Sequence, residues 1–104
     1  MKQYGIYIAY VSWGDGGKRR PVLVLSEQDT HATILRITTQ YEGKSVSIQS
    51  MYLAITDWQQ AGLNMPSYID TSKIINLPIT TFSAFPIGKL SERDRQQLIK
   101  CLNK

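Results

Sequence analysis

Cysteine and histidine are scarce in this sequence, with one residue of each type among 104, Cys101 and His31. An intramolecular disulfide is therefore excluded, which agrees with a reducing compartment such as the cytoplasm. A mechanism that needs two histidines is excluded as well. One cysteine, one histidine and scattered acids give no ligand cluster of recognisable spacing, so we expect no metal.

Long hydrophobic runs are also missing. No window approaches the roughly 18 apolar residues that a membrane span requires, and residues 1–4 do not lead into a signal-peptide pattern. The phosphate-binding patterns G-x-x-x-x-G-K-[S/T] and G-x-G-x-x-G do not occur either. We expect a cytoplasmic protein that uses no cofactor and does not contact a membrane.

Charged residues are few, at 19%, but they are biased towards the positive sign. Twelve Lys and Arg against eight Asp and Glu give a net charge of +4. This balance favours a polyanionic partner, with nucleic acid first, although many small domains carry a similar charge. The length and the 42% of hydrophobic residues predict one domain covering residues 1–104.

Segments rich in β-branched and aromatic residues predict a mainly β protein. Residues 5–12 and 31–39 predict the first and third strands, and a continuous apolar run after Pro21 predicts a second strand that is buried on both faces. A glycine-rich turn is expected at residues 13–18. Pro21 is expected at the start of its strand, where a missing N–H does little harm.

The next part of the chain gives weaker signals. Residues 45–49 alternate like a strand, and residues 51–55 predict another strand after a bend. Residues 57–62 predict a short helical turn, capped by Asp57 or Thr56 and ended by Gly62 in a left-handed conformation.

The last third predicts one or two strands within residues 66–77, a loop, and a short strand at residues 85–89. Ser91 and Asp94 fit the S-x-x-[D/E] capping box at the start of a C-terminal helix. Together, the elements predict a compact antiparallel barrel or half-barrel that ends in this helix.

Two segments carry groups suited to phosphate. Three cations, Lys18, Arg19 and Arg20, follow the glycine turn and precede the buried strand, and an Arg fork fits phosphate oxygens. A solvated basic turn is the alternative interpretation. At the end of the third strand, residues 38–40 (Thr-Thr-Gln) offer hydroxyl and amide donors, although Thr is also an ordinary strand residue. His31 is an acid–base candidate by residue type only.

These segments resemble, in order, those of the MazF/PemK family of toxins. The resemblance rests on residues 16–26 (G-G-K-R-R-P-V-L-V-L-S), on the opening strand, on residues 34–40 (I-L-R-I-T-T-Q), on residues 57–70 and on the closing segment up to the last helix. It covers nearly the whole chain. It implies an SH3-like barrel, a homodimer with an RNA groove, and an antitoxin whose disordered tail folds over that groove.

The resemblance also implies an activity and its residues. The activity is metal-independent, sequence-specific cleavage of single-stranded mRNA through attack by the substrate's 2′-hydroxyl. The catalytic residues would be Arg20, which precedes Pro21, and Thr38, which lies in the I-T-x-Q context. The RNA-binding residues would be Trp13, Asp15, Gly17, Lys18, Arg19, Thr39 and Gln40.

Some features depart from the family pattern. The first loop is short, and only Asp15 stands where some members carry an acid and a Gln. Adjacent Arg19 and Arg20 leave open which guanidinium acts. Two alternatives remain: a CcdB-like toxin that poisons a topoisomerase by binding, although such proteins lack the Arg-Pro and Thr pair, and an inactive RNA-binding barrel.

Overall fold

The computed structural model describes residues 1–103, except for the side chain of Trp13. In chain order, the strands of this range are β1 (Gly5–Trp13), β2 (Gly16–Gln28), β3 (His31–Thr38), β4 (Tyr52–Ala54), β5 (Tyr68–Asp70), β6 (Ile75–Pro78) and β7 (Gly88–Lys89). Helix α1 (Val46–Gln49) lies between β3 and β4, and helix α2 (Glu92–Leu102) follows β7. A 3-10 turn at Ile79–Thr81 precedes the last strand.

The strands form one curled antiparallel sheet in the order β4-β5-β3-β2-β1-β7. On the side away from β2, β3 has two partners: its first half pairs with β6 and its last residues, Ile37 and Thr38, pair with β5. The sheet is open, because within residues 1–103 β4 and β7 do not pair with each other. The predicted mainly β fold with a C-terminal helix is therefore confirmed, in the form of a half-barrel.

Both faces of the central strands are buried. Leu23 and Leu35 lie in one core that includes Leu98 of α2, and Val22 and Ile34 lie in a second core on the other face. Alternate residues of a strand point to opposite faces. A strand buried on both faces therefore shows a continuous apolar run, as predicted for the segment after Pro21.

The turn between β1 and β2 is shorter than expected. Gly14 and Asp15 alone form it, with Gly14 at a φ of +47°, and Trp13 pairs directly with Gly16. Because β2 begins at Gly16, Pro21 lies inside the strand and not at its start.

Because Pro21 lies inside β2, it affects how β2 pairs with β3, which a proline at the start of the strand would not do. The β1–β2 ladder continues through Ile8 and Pro21, whereas the β2–β3 ladder ends at the pair Val22 and Arg36. Proline lacks the N–H that would extend the second ladder towards Ile37. The two strands therefore separate beyond this point.

The strand predicted at residues 45–49 is wrong. This segment is helix α1, whose N-terminus is capped by the Ser45 hydroxyl, which accepts a hydrogen bond from the Ile48 backbone N at 3.2 Å. The alternation that suggested a strand has no buried face, since Val46 and Ile48 are both exposed. A serine cap with good local geometry favours a helical turn here.

The helical turn predicted at residues 57–62 exists and includes residue 56, but its predicted cap is wrong. The backbone N–H groups of Thr56 and Asp57 both donate to the buried carboxylate of Asp94 in α2, at 2.9 and 2.8 Å. Asp57 instead forms an ion pair with Arg93. Gly62 ends the turn at a φ of +85°, as predicted.

Helix α2 begins as the capping box predicts, with the Ser91 hydroxyl accepting from the Asp94 backbone N at 3.2 Å. The last strand is shorter than predicted, because only Gly88 and Lys89 pair with β1. Of the segment from residue 85, Phe85 is 80% exposed. The prediction that Phe85 belongs to this strand is therefore wrong, and its apolar side chain is not buried.

Candidate functional site

A small cleft opens where β2 and β3 separate. If the register of Val22 with Arg36 is continued by two residues, Arg20 stands opposite Thr38. The cleft has a volume of about 150 Å³. Its lining residues are Arg20, Arg36, Ile37, Thr38, Gln40, Lys44 and Tyr52.

The strand geometry selects one guanidinium of the tandem pair. Arg20 shares its face of β2 with Val22, whereas Arg19 is one residue away and therefore points to the opposite face. Arg19 lies across from the half-exposed Tyr10 on β1. Of the two arginines, Arg20 lines the cleft.

Thr38 reaches the cleft from the last position of β3, where it pairs with Tyr68 of β5. Its hydroxyl oxygen accepts a hydrogen bond from the Gln40 backbone N at 3.1 Å. This bond fixes the chain as it leaves the strand and leaves the hydroxyl proton available for donation. Thr38 and Gln40 thus line the same cleft as Arg20, and their predicted roles stay predictions.

Besides the core residue Ile37, three lining residues were not anticipated from the sequence. Arg36 precedes Thr38 by two positions in β3, and the alternation of strand side chains would have placed it on the same face. Lys44 comes from the loop after β3, and Tyr52 from β4. The positions of Lys44 and Tyr52 depend on the path of the chain between β3 and β4, which no local sequence pattern predicts. With Arg20, the cleft carries three cations.

A buried carboxylate lies against this cleft. Asp70 of β5 forms an ion pair with Arg36, with Nη2 and Oδ2 2.7 Å apart. Its other oxygen accepts from the backbone N of Ser72, at 3.0 Å, and from the Ser72 hydroxyl. Burial alone would raise the pKa of Asp70, but the hydrogen bonds from Ser72 and the contact with Arg36 outweigh it, and its pKa is lowered.

The remaining predicted RNA-binding residues lie outside this cleft. Lys18 is on the same face of β2 as Arg20, whereas Thr39 lines a separate depression beside Pro21 and Met65. Asp15 is exposed at the tip of the hairpin, and the side chain of Trp13 lies outside the described residues. Their contacts with RNA stay predictions.

Gly17 has a packing reason to be glycine. A Cβ at this position would stand 2.5 Å from the Tyr10 hydroxyl oxygen. The ring of the half-exposed Tyr10 lies across the hairpin at this place, so a larger residue would require the tyrosine side chain to shift. This contact is a reason for the glycine that does not involve RNA, and the predicted role of Gly17 in RNA binding stays a prediction.

His31 is far from the cleft. It begins β3, seven residues before Thr38, which corresponds to about 23 Å along a strand. Its Nδ1 contacts the hydroxyl of neighbouring Thr30 at 2.9 Å. The structure does not bring this acid–base candidate together with Arg20 and Thr38.

A larger depression, of about 350 Å³, lies between β4 and α2. Apart from Tyr52, which it shares with the cleft, it contains none of the candidate site residues. Size alone does not make a site, and the smaller cleft has the convergent cations that binding a phosphate requires. We therefore place the candidate site in the smaller cleft.

Two further properties concern residues 1–103 as a whole. No group of three or more His, Cys, Asp or Glu side chains in this range is arranged to hold a metal ion. No helix in the same range is long and apolar enough to cross a membrane.

Comparisons with known proteins agree with the fold. The sequence profile of the PemK-like, MazF-like toxins of type II toxin–antitoxin systems matches residues 2–104. No curated protein matches the sequence at a significant level.

Solved structures share the fold, and two are described. One is the Mycobacterium tuberculosis toxin MazF-mt6, with 24% identity, a TM-score of 0.73, and coverage of 95% of this chain and 92% of that chain. Another is an endoribonuclease from a mycobacterial species in complex with its cognate antitoxin, with 14% identity, a TM-score of 0.66, and coverage of 96% and 86%.

Proposed function

The chain belongs to the family of PemK-like, MazF-like toxins of type II toxin–antitoxin systems, and on this premise we propose that it is a sequence-specific endoribonuclease. Its substrate would be single-stranded mRNA, cleaved without a metal ion. The observation that carries the proposal is that Arg20 and Thr38, from two strands, line one cationic cleft.

The reaction would use the substrate's own nucleophile. The 2′-oxygen attacks the adjacent phosphorus, and the bond from phosphorus to the 5′-oxygen breaks. The products are a 2′,3′-cyclic phosphate and a free 5′-hydroxyl. The protein's tasks are then to hold the 2′-hydroxyl in line and to stabilise the extra charge on the phosphorane.

Arg20 and Thr38 fit the second task. A guanidinium can donate two parallel hydrogen bonds to phosphate oxygens, and it keeps its positive charge at neutral pH. We assign Arg20 chiefly to charge stabilisation, with proton donation to the leaving 5′-oxygen as a secondary role. Thr38 would donate its hydroxyl proton to a non-bridging oxygen, since its bond with Gln40 uses only a lone pair.

Asp70 is a poor candidate for the base that accepts the 2′-hydroxyl proton. Its carboxylate already accepts hydrogen bonds from Ser72 and Arg36, and its lowered pKa makes it a weak base. Proton transfer to solvent during the attack is consistent with these contacts. We assign Asp70 no direct part in moving the proton.

Recognition of the RNA would extend beyond the scissile phosphate. Gln40 in the cleft offers an amide that can pair with a base edge, as single-stranded RNA recognition requires. Lys18 lies on the same face of β2 as Arg20 and would bind a flanking phosphate. Arg19 and Thr39 point away from the cleft, so their predicted contacts require RNA to pass around the strand. Trp13 is proposed to stack on a base near the hairpin.

A cognate antitoxin and a second copy of the chain complete the proposal. One of the solved structures with this fold is an endoribonuclease bound to its antitoxin, and family membership implies the same kind of partner for this chain. A disordered acidic tail that covers the cationic cleft would block RNA and neutralise the toxin. The homodimer would place two such clefts in one groove.

The test is cleavage of a long unstructured RNA by the purified protein in excess EDTA, with both product ends mapped. We expect cuts at a short recurring sequence, 5′-hydroxyl ends, and loss of activity in Arg20→Ala. Lys89→Gln is the matched control, because it removes one exposed cation from β7 at the other end of the sheet. Intact RNA that is still bound would contradict the enzyme and favour a toxin that acts by binding.

A further inference from the structure

We propose that Arg36 is a second phosphate-binding group of the cleft, held in position by Asp70, and that it contacts the phosphate next to the one that is cleaved. This inference rests on the proposed function, because it assumes that RNA crosses the cleft. It adds a residue to which the sequence analysis assigned no role.

The position of Arg36 in β3 suits a neighbouring phosphate. Arg36 and Thr38 lie two residues apart on the same face of the strand, a separation of about 6.6 Å along it. This distance is comparable to the spacing of adjacent phosphates in an extended RNA strand. With Thr38 and Arg20 on the scissile phosphate, Arg36 stands one step along the backbone.

The contact with Asp70 orients the guanidinium. It occupies one Nη2 hydrogen of Arg36, which leaves four of the five N–H donors for a ligand. The carboxylate itself cannot turn, because it is 6% exposed and its other oxygen is held by Ser72. The contact with this buried carboxylate therefore favours one orientation of Arg36, with its charge directed to the cleft before RNA binds.

A purely structural role explains these contacts less well. The side chain of Arg36 is 47% exposed, and ion pairs with a partner this open add little to stability. β3 and β5 are already joined by the pairs Ile37 with Ile69 and Thr38 with Tyr68. A buried carboxylate that pairs with an exposed guanidinium in a cationic cleft is instead suited to binding an anion.

The experiment compares Arg36→Gln and Arg36→Lys with the wild type and with the Lys89→Gln control, in steady-state cleavage and in binding. The binding probe is a short RNA with 2′-O-methyl groups, which has no nucleophile and stays intact. Arg36→Gln should raise KM and weaken probe binding about 10- to 100-fold, as expected for loss of a charge-assisted hydrogen bond. The kcat should change less than about threefold, since a flanking contact is the same in ground and transition states.

Two further measurements separate charge from orientation. The slope of the log binding constant against log salt concentration is negative, and its magnitude should decrease by about 0.7 in Arg36→Gln, which is the contribution of one phosphate on a single strand. Arg36→Lys keeps the charge and should have the wild-type slope. Asp70→Asn should weaken probe binding several-fold while the salt slope stays at least as large as in the wild type. Thermal unfolding confirms that each variant is folded at the assay temperature.

The outcomes distinguish this inference from the proposed function. A wild type that cleaves RNA, with an Arg36→Gln variant whose KM, probe binding and salt slope are unchanged, would overturn the inference alone. A wild type that binds the probe without cleaving RNA, with weaker binding in Arg36→Gln, would overturn the nuclease and retain the phosphate contact. A wild type that does not bind RNA would overturn both. A large loss of kcat in Arg36→Gln at unchanged KM would also contradict the flanking position.

Discussion

Replacing Arg19 and Arg20 by alanine, one at a time, tests the assignment of faces on β2. The two side chains are adjacent in sequence, have equal charge and point to opposite faces of the strand. Since Arg20 lines the cleft and Arg19 does not, the two variants should differ in the step they affect. Sequence alone left the choice open.

The expected magnitudes follow from this geometry. Loss of one group that stabilises the transition-state charge lowers kcat by roughly 10²- to 10³-fold, or about 3–4 kcal/mol. A cation on the other face does not contact the phosphate and can act only by long-range Coulomb attraction. At a separation of about 10 Å in water that energy is about 0.4 kcal/mol. Physiological salt reduces it to about 0.1 kcal/mol. Arg19→Ala should therefore change kcat less than about twofold.

The assay is single-turnover cleavage of one short RNA at saturating enzyme, with circular dichroism to show that both variants are folded. If Arg19 binds a flanking phosphate, as the resemblance implies, its loss will appear in KM and in the salt dependence of binding. A kcat loss in Arg19→Ala as large as that in Arg20→Ala would refute the reasoning. The same kcat for Arg20→Ala and the wild type would refute it as well.

Three other perturbations give independent checks. Thr38→Val should lower kcat about 100-fold, whereas Thr38→Ser, which keeps the donor, should stay within about tenfold in the same kinetics. Gly62→Ala should lower stability by about 3 kcal/mol and the Tm by more than about 10 °C in calorimetry, because the glycine has a φ of +85° and an added Cβ would stand 2.2 Å from the Ile87 carbonyl oxygen. Asp70 has a lowered pKa, so its stabilisation is present above the unfolded-state value, about 3.9, and is lost as the pH falls through the folded value. The stability gap between wild type and Asp70→Asn in urea unfolding should therefore narrow as the pH falls below about 4, and a constant gap would contradict the lowered pKa.

The strands with strong local patterns were predictable, and those defined by distant contacts were not. β1 and β3 follow from β-branched and aromatic runs, and the start of α2 follows from Ser91 and Asp94. Residues 45–49 carried the alternation of a strand, yet a local serine cap and the absence of a buried face make them helix α1. Pattern arguments fail where no core contact enforces the period.

Much of the candidate site could be predicted from the sequence. Only part of that prediction rests on residue chemistry, and the rest depends on the family resemblance. Arg20, Thr38 and Gln40 were candidates by residue type, the family resemblance gave them roles, and the structure places all three in one cleft. Arg36 could have been found from strand alternation alone. Lys44 and Tyr52 could not, because their approach depends on the path of the loop and helix between β3 and β4. The role of Pro21 in ending the β2–β3 ladder also requires its register.

The identity of the nucleophile is the central claim, and the most direct measurement uses two RNAs that differ in one atom. A short RNA with a single cleavage site is compared with the same RNA carrying a 2′-deoxy sugar immediately before the scissile phosphate, both in excess EDTA. If the substrate's 2′-hydroxyl attacks, the deoxy RNA is bound with similar affinity and is not cut at that site. The all-ribose RNA is cut there and yields a 2′,3′-cyclic phosphate and a 5′-hydroxyl. Cleavage of the deoxy RNA at the same bond would contradict the account, because another nucleophile would then have to act.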